Sequence, residues 1–411
     1  MPAELDRFRT VRSHTEELAA PLSPEDQVVQ SMPDCSPTKW HRAHTTWFFE
    51  EFVLSRWGAP YEPVDPRFRY LFNSYYEAVG PRQPRPRRGM ISRPSVEEIA
   101  AYRQAVDDRV AELLEDADDP DLLATVELGC HHEQQHQELL LMDAKHLLWQ
   151  NPYRPAYAER AGTGDHPTPK PVEWITHDGG LVEIGYDGEG FSFDNEGPRH
   201  KVHLQPFALA DRLVTAGEWL DFIADDGYRR PELWLSDGWA HINAEGWDCP
   251  LYWDQVDGVW HVFSLSGLQP VDPAEPVVHI SYYEADAFAR WSGARLPLES
   301  EWEVIADGQG PPTPTFGLHP ASAAPESQPG QAAQLFGAVW QWTASPYTPY
   351  PTFSPAAGAV GEYNGKFMVD QQVLRGSASI TSDGHARASY RNFFPTKARW
   401  AFSGLRLARD V

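Results

Sequence analysis

Cysteine is scarce in this chain. Cys35, Cys130 and Cys249 are the only three among 411 residues. An odd number at wide spacing excludes a disulfide framework and fits a reducing, cytoplasmic setting. Long hydrophobic runs are missing too: no apolar stretch reaches the roughly eighteen residues that a membrane-spanning helix needs. The opening Met1-Pro2-Ala3-Glu4-Leu5-Asp6-Arg7 is charged and has no apolar core, so no secretory signal is expected. Basic residues are outnumbered, 34 Lys and Arg against 59 Asp and Glu, and the net charge of −25 argues against nucleic acid and anionic membrane as partners. Aromatic residues are abundant by contrast, with 16 Trp and 16 Tyr. Most of them serve packing, and the same stock suits cation–π capture of a quaternary ammonium group.

The length predicts two or three domains with ample core. The first is helical. Segments 4–18, 37–56, 95–116 and 121–150 carry apolar residues at three- and four-residue spacing. Ser95 and Glu98 have the spacing of a capping box. Four such segments predict a four-helix bundle, an architecture that builds metal sites from facing helices. Between them, 61–93 is a long, basic, proline-rich loop, and loops of that length are often functional. The texture then changes. Short strand-like runs at 181–184, 201–204 and 277–280 alternate with Gly- and Trp-rich turns and two short helices, 215–224 and 282–292. Residues 308–331 are low in complexity and read as a surface excursion. The expected organisation is a helical bundle over 1–152, a Pro- and Gly-rich linker over 153–171, and an α+β domain over 172–411. No internal repeat is visible.

The densest chemistry lies in His131-His132-Glu133-Gln134-Gln135-His136-Gln137-Glu138, inside the last helix of the bundle. His132 and His136 stand i, i+4, about one turn apart on one face, where two imidazoles can hold one metal ion. Upstream, Trp40-His41-Arg42-Ala43-His44-Thr45-Thr46-Trp47-Phe48-Phe49-Glu50 offers histidines on a second helix. Three readings compete. The run is a polar helix face. It is the H-E-x-x-H of a zinc peptidase, with Glu133 as general base for a zinc-activated water. Or it is two thirds of a metal site completed by another helix. Imidazole ligands alone do not choose between iron, zinc and copper.

Three later stretches belong together: Val277-Val278-His279-Ile280-Ser281-Tyr282-Tyr283-Glu284-Ala285, Ala294-Arg295-Leu296-Pro297-Leu298-Glu299-Ser300-Glu301-Trp302-Glu303, and Leu374-Arg375-Gly376-Ser377. They resemble the C-type-lectin-like fold of formylglycine-generating enzymes. Those enzymes use cysteines late in the domain, and no cysteine follows Cys249 here, so that activity is not expected. The helical part resembles the DinB-like four-helix bundle. Bundle, linker and lectin-like domain in this order are similar to the ergothioneine sulfoxide synthases, as are the Trp40–Glu50 run, Leu71-Phe72-Asn73-Ser74-Tyr75-Tyr76-Glu77, the His132 to Glu138 run and Tyr390-Arg391-Asn392-Phe393-Phe394.

That family joins a thiol sulfur to the imidazole C2 of N-α-trimethylhistidine (hercynine), using non-haem Fe(II) and O2. The resemblance implies His44, His132 and His136 as iron ligands, with His41 or His131 as substitutes if His44 is not one. It implies Gln135 as a hercynine contact, Asn392 as a contact to its carboxylate or ammonium end with Phe393 beside it, and Arg82 and Arg85 as the pair holding the thiol substrate's carboxylate. Phe393, Phe394 and Trp400 are candidates to face the trimethylammonium group, which cannot donate a hydrogen bond. Glu133 and Glu138 become helix-face groups around the metal. A tyrosine pair in a loop usually packs, yet a phenol near the metal could give a proton to partly reduced O2. One branch of the family assigns that task to the pair matched by Tyr75 and Tyr76. The other assigns it to a tyrosine of the second domain, for which Tyr347 and Tyr350 are the nearest candidates. The γ-glutamylcysteine-using branch carries Trp-Asp where this chain has Phe393-Phe394, so free cysteine is the expected sulfur donor. Neighbouring possibilities are a relative acting on histidine itself, one inserting selenium, and a lectin-like binding protein that needs no metal.

Overall fold

Apolar residues at three- and four-residue spacing fold the first part of the chain into long helices. In a computed structural model, which describes residues 3–159, 169–309, 316–322, 330–355, 361 and 364–411, these are α1 (Ala3–Ala19), α2 (Thr38–Phe49), α3 (Val96–Leu114) and α4 (Pro120–Gln150). The expected linker lies partly, and the 308–331 excursion largely, outside the described residues. The chain divides into two compact units at Ala158 and Glu159.

In the first unit α1 buries Leu5, Phe8, Val11, Arg12, Thr15 and Leu18, and α3 buries Ile99, Tyr102, Arg103, Val106, Val110 and Leu114. Those steps make one inward stripe per helix. α2 is buried on every side from Thr38 to Phe49, so it is the central helix, packed against α3 and α4. Its axis runs on through a π-helical turn, Glu50–Leu54. Gly129 sets the approach of α4 to α2. A Cβ there would stand 2.6 Å from Phe49 Cε1 and 2.9 Å from Phe48 Cε1, so even a methyl group would push apart the two helices that carry the histidines. The Ser95–Glu98 capping box forms at the start of α3, and Asp119 caps α4 ahead of Pro120. The 61–93 loop contains a short helix, Phe68–Phe72, and a 3-10 turn, Arg85–Met90. The buried Lys39 ties down its end by donating to the carbonyls of Ile91 (2.7 Å) and Pro94 (2.8 Å). Among the described residues no helix is long and apolar enough to cross a membrane.

The second unit is built on small sheets with short helices between them. The largest sheet orders Asn392–Pro395, Gln371–Gly376, Trp340–Pro346 and Ser403–Gly404, with Asn392–Pro395 at one edge. Phe207–Ala210 lies between Trp174–His177 and Ala408–Asp410, both antiparallel to it. Residues 277–280, expected as a strand, are not one. His279 has φ of 66°, outside the extended region, and Ser281 then caps the helix Tyr282–Trp291. The segment is buried and pairs one group at a time: Val277 N–H donates to Val214 O at 3.1 Å, and His279 O accepts from Leu251 N–H at 3.1 Å. Two helices beyond the expected pair are present, Ser236–Glu245 and Glu299–Asp307.

The second of these carries the acid-rich motif, and each motif acid has an arginine partner. Arg295 makes a forked pair to Glu301 at 2.7 and 2.8 Å. Glu299 accepts from Arg375 at 2.8 Å and from Arg391 at 2.9 and 3.0 Å. Glu303 pairs with Arg375 at 2.8 Å and accepts from Gly185 N–H at 2.6 Å. Burial would raise the Glu299 carboxyl, but the two guanidinium charges outweigh it and hold the group below its ordinary value. Three motifs distant in sequence therefore meet at Glu299. Their polar residues are cross-braces of the fold.

Candidate metal centre

α2 and α4 face each other across Gly129, and three histidines meet there. His44 from α2 and His132 and His136 from α4 each offer a ring nitrogen, and these atoms lie within 4.8 Å of one another. Among the described residues this is the group of His, Cys, Asp and Glu side chains placed to share a metal ion. All three are buried, His44 completely. His44 stacks on Trp40 (4.6 Å between ring centres, 11°) and on Trp47 (5.6 Å, 18°). Phe48 packs 4.9 Å from His132.

The ring nitrogens show which way the lone pairs point. His44 Nδ1–H donates to the carbonyl of Phe72 at 2.6 Å, which leaves Nε2 as the acceptor. That atom is buried and has no protein partner. An unsatisfied buried acceptor costs about 1–3 kcal/mol, and a cation in the cluster would satisfy it. Burial drives the imidazoles toward neutrality: His132 falls to about 4, while His44 and His136 fall well below the ordinary value, each further opposed by the neighbouring histidines. Neutral imidazole is the form that binds metal. The donor set therefore fits a divalent transition metal. With no carboxylate in it, an anionic ligand would be drawn to the ion.

Glu133 settles one competing reading. Its carboxylate is fully buried and accepts from Arg12 Nη1 (2.7 Å), Arg103 Nη2 (2.9 Å) and Thr15 Oγ1 (2.6 Å). Burial would raise this carboxyl, but the charges of Arg12 and Arg103 override it and bring it to about 2. A carboxylate so held is an ion-pair brace between α4, α1 and α3. It is not available as a general base, so the H-E-x-x-H peptidase reading fails on geometry.

His41 is occupied at both nitrogens. Its Nδ1 meets His136 Nδ1 at 2.9 Å and its Nε2 meets Asp143 Oδ2 at 3.0 Å. His131 is buried on α4 and lies outside the three-histidine group.

The matches to known proteins agree with this architecture. Residues 7–148 match the DinB superfamily, and 163–313 with 313–411 match the sulfatase-modifying factor enzyme 1-like domain. Over 92% of its length the chain is 33% identical to the hercynine oxygenase of Mycolicibacterium thermoresistibile, covering 88% of that protein. The chain belongs to the hercynine oxygenase family. The Mycobacterium tuberculosis hercynine oxygenase is 32% identical, with 92% of each chain covered. Ergothioneine biosynthesis protein 1 of Schizosaccharomyces pombe is 27% identical over 54% of this chain and 28% of that protein.

Other residues expected to matter in a hercynine oxygenase relative are placed as follows. Tyr76 is buried against Trp47 (5.7 Å) and Phe52 (5.1 Å). Tyr75 is half-buried on the same loop as Arg85 and Arg88. The pair is thus split, one ring in the core and one half-buried. Arg85 donates to the carbonyl of Asp34, and Arg82 bonds Glu77 at the surface. Gln135 is half-buried on α4 next to His136.

In the second unit, the period-two alternation of the edge strand puts Asn392 and Phe394 on one face and Phe393 on the other. Phe394 meets Trp400 edge-on at 5.6 Å. Phe393 stacks on Tyr347 at 4.1 Å and 10°, and Tyr347 Oη accepts from Asn195 at 2.9 Å. Tyr350 bonds Glu299 (3.3 Å) and Arg375 (2.8 Å), which makes it part of the brace around Glu299.

Sequence reasoning missed Arg88 and Asp143. Arg88 is buried, with its guanidinium 3.4 Å over Trp40 and bonded to Ser36 Oγ (2.9 Å) and Ser74 Oγ (3.1 Å). Burial lowers it to about 9, and the like charge of Arg85 adds to this. The only prior signal was its place in the basic run Arg85-Pro86-Arg87-Arg88.

Proposed function

We propose that this chain is an Fe(II)- and O2-dependent sulfoxide synthase of ergothioneine biosynthesis, joining the imidazole C2 of hercynine to the sulfur of a thiol, with cysteine as the favoured donor. The observation that carries the reading is the convergence of His44, His132 and His136 with a buried, unpartnered His44 Nε2. It is supported by the one-third identity to hercynine oxygenases over nearly the whole chain. Those three histidines would hold the metal. When bound, Fe(II) supplies one-electron chemistry with O2 and draws an anionic sulfur to the site.

The remaining residues bind and orient. Arg85, with Arg82, offers forked donors to the thiol substrate's carboxylate, a geometry that lysine would not supply. Tyr75, on the same loop as Arg85, holds a phenolic proton for the oxygen chemistry; Tyr76 serves packing. Gln135, Asn392 and the aromatic pair Phe394 and Trp400 are the hercynine contacts, the rings facing a quaternary ammonium at about 0.5–2 kcal/mol each. Phe394 is apolar where the γ-glutamylcysteine-using branch carries an acid. That difference favours the smaller donor.

The test is oxygen uptake by protein reconstituted anaerobically with Fe(II), given hercynine with cysteine or γ-glutamylcysteine, and mass analysis of the product. A hercynine–cysteine sulfoxide is the expected product. Preference for γ-glutamylcysteine would overturn the donor. Equal kcat/KM for histidine and hercynine would overturn the acceptor.

A further inference from the structure

For neutral imidazoles beside a proton-accepting carboxylate, the His41 contacts fit one proton arrangement. Asp143 Oδ2 already accepts from Ser36 N–H at 2.7 Å, and an ionised carboxylate can only accept. At 3.0 Å from it, His41 Nε2 must therefore carry the proton. An imidazole that carries its one ring proton on Nε2 presents Nδ1 as an acceptor. The nitrogen 2.9 Å away, His136 Nδ1, must then donate. That leaves the lone pair of His136 on Nε2. His44 reaches the same state by a shorter route, its Nδ1–H ending on the Phe72 carbonyl. His41 and Asp143 are buried, so the chain of bonds is shielded from water.

We propose that Asp143, acting through His41, is a positioning device for His136: it fixes the tautomer and ring orientation that turn Nε2 toward the metal. The inference rests on the three-histidine metal reading. It goes beyond that reading by assigning His41 a role as acceptor, not as ligand, and by giving Asp143 a part in metal affinity.

Cobalt(II) is the probe, titrated anaerobically into metal-free protein, with affinity read by chelator competition and geometry by its visible d–d bands. His41→Phe removes the acceptor and should weaken Co(II) binding about 10- to 100-fold and change the bands. His41→Gln offers a carbonyl oxygen to His136 Nδ1–H and should recover most of the affinity, a rescue that a space-filling role would not show. Asp143→Ala frees the His41 tautomer and should weaken binding in the same range. Asp143→Asn keeps an accepting oxygen and should fall between Asp143→Ala and wild type. Wild-type affinity and bands in both His41→Phe and Asp143→Ala would overturn the proposal. If His41→Phe does not fold, by circular dichroism, Asp143→Ala decides alone. The two failures are distinguishable. Absence of stoichiometric Co(II) in wild type brings down the metal reading and this inference with it. Tight Co(II) that His44→Ala abolishes but Asp143→Ala leaves untouched brings down the relay only.

Discussion

Two buried polar clusters, one in each unit, look alike in sequence and differ in structure. Around Glu299 the carboxylate itself is fully answered: Arg375, Arg391 and Tyr350 surround it. Around His44 the groups are neutral, and one nitrogen has no protein partner. Both clusters come from distinctive motifs. Only the second brings neutral, metal-binding side chains together with an open acceptor. A carboxylate ringed by cations braces a fold, whereas neutral imidazoles that converge with an open acceptor mark a place where a cation binds. Glu133 shows the contrast within one helix. It adjoins His132 in sequence, yet its carboxylate is wholly spent on Arg12, Arg103 and Thr15.

The largest effects should come from the histidine cluster. Replacing His44, His132 or His136 with Ala should abolish stoichiometric metal and oxygen uptake together. Thermal melts check this independently of turnover. Metal at a hundredfold excess over its dissociation constant should stabilise wild type by about 2.7 kcal/mol and the variants not at all. A variant that keeps full metal occupancy would remove that histidine from the ligand set.

Next in size is the Glu299 cluster. Glu299→Ala leaves Arg375 and Arg391 facing an empty, buried site and should cost about 3–5 kcal/mol in denaturant unfolding. A loss below about 1 kcal/mol would show that the brace is replaceable.

Much of the fold was legible because it rests on periodic burial. The four long helices follow apolar spacing, and the capping box at Ser95 is local chemistry that sequence displays directly. The failures have physical causes. Residues 277–280 read as a strand because they are apolar, but nothing in composition announces the positive φ of His279. The helix Glu299–Asp307 went unread although its acidic first turn is a helix-start signal, because those acids stood out as a motif and two of them meet Arg375 and Arg391, far along the chain, only in the fold. At the metal centre the i, i+4 histidines stand out by spacing alone. Asp143 and Arg88 do not, because their parts depend on Ser36, Trp40 and Ser74, contacts made only when loop and helix meet. A motif shows which residues are unusual; the partners show what they are for.

A smaller, pH-dependent effect follows from Glu133. Folding holds this carboxyl near 2, below its ordinary 4.5. Its stabilisation is therefore complete above about pH 4.5 and is lost as pH falls toward the folded value. Unfolding free energy measured from pH 6 down to pH 3 should decline in wild type. Glu133→Gln should be less stable at pH 6 and show a flatter decline. Parallel slopes would assign the acid sensitivity to other carboxylates.

The smallest stability effects separate the two tyrosines, which repeat the contrast on the scale of one residue. Tyr76 sits in the aromatic core against Trp47 and Phe52, where its ring matters more than its hydroxyl. Tyr75 is half-buried on the loop that carries Arg85 and Arg88. Removing either hydroxyl should cost about 1 kcal/mol or less. The products should differ. Tyr76→Phe should leave the sulfoxide yield near wild type. Tyr75→Phe should still bind both substrates but divert oxygen toward simple oxidation of the thiol to a sulfinate, because the proton it would have supplied is missing. Mass analysis of the products with cysteine and hercynine gives the ratio directly. An unchanged sulfoxide yield in Tyr75→Phe would take the loop tyrosines out of the chemistry. It would turn attention to Tyr347, whose phenol is bonded only to Asn195 among the contacts described above and whose ring lies flat against Phe393.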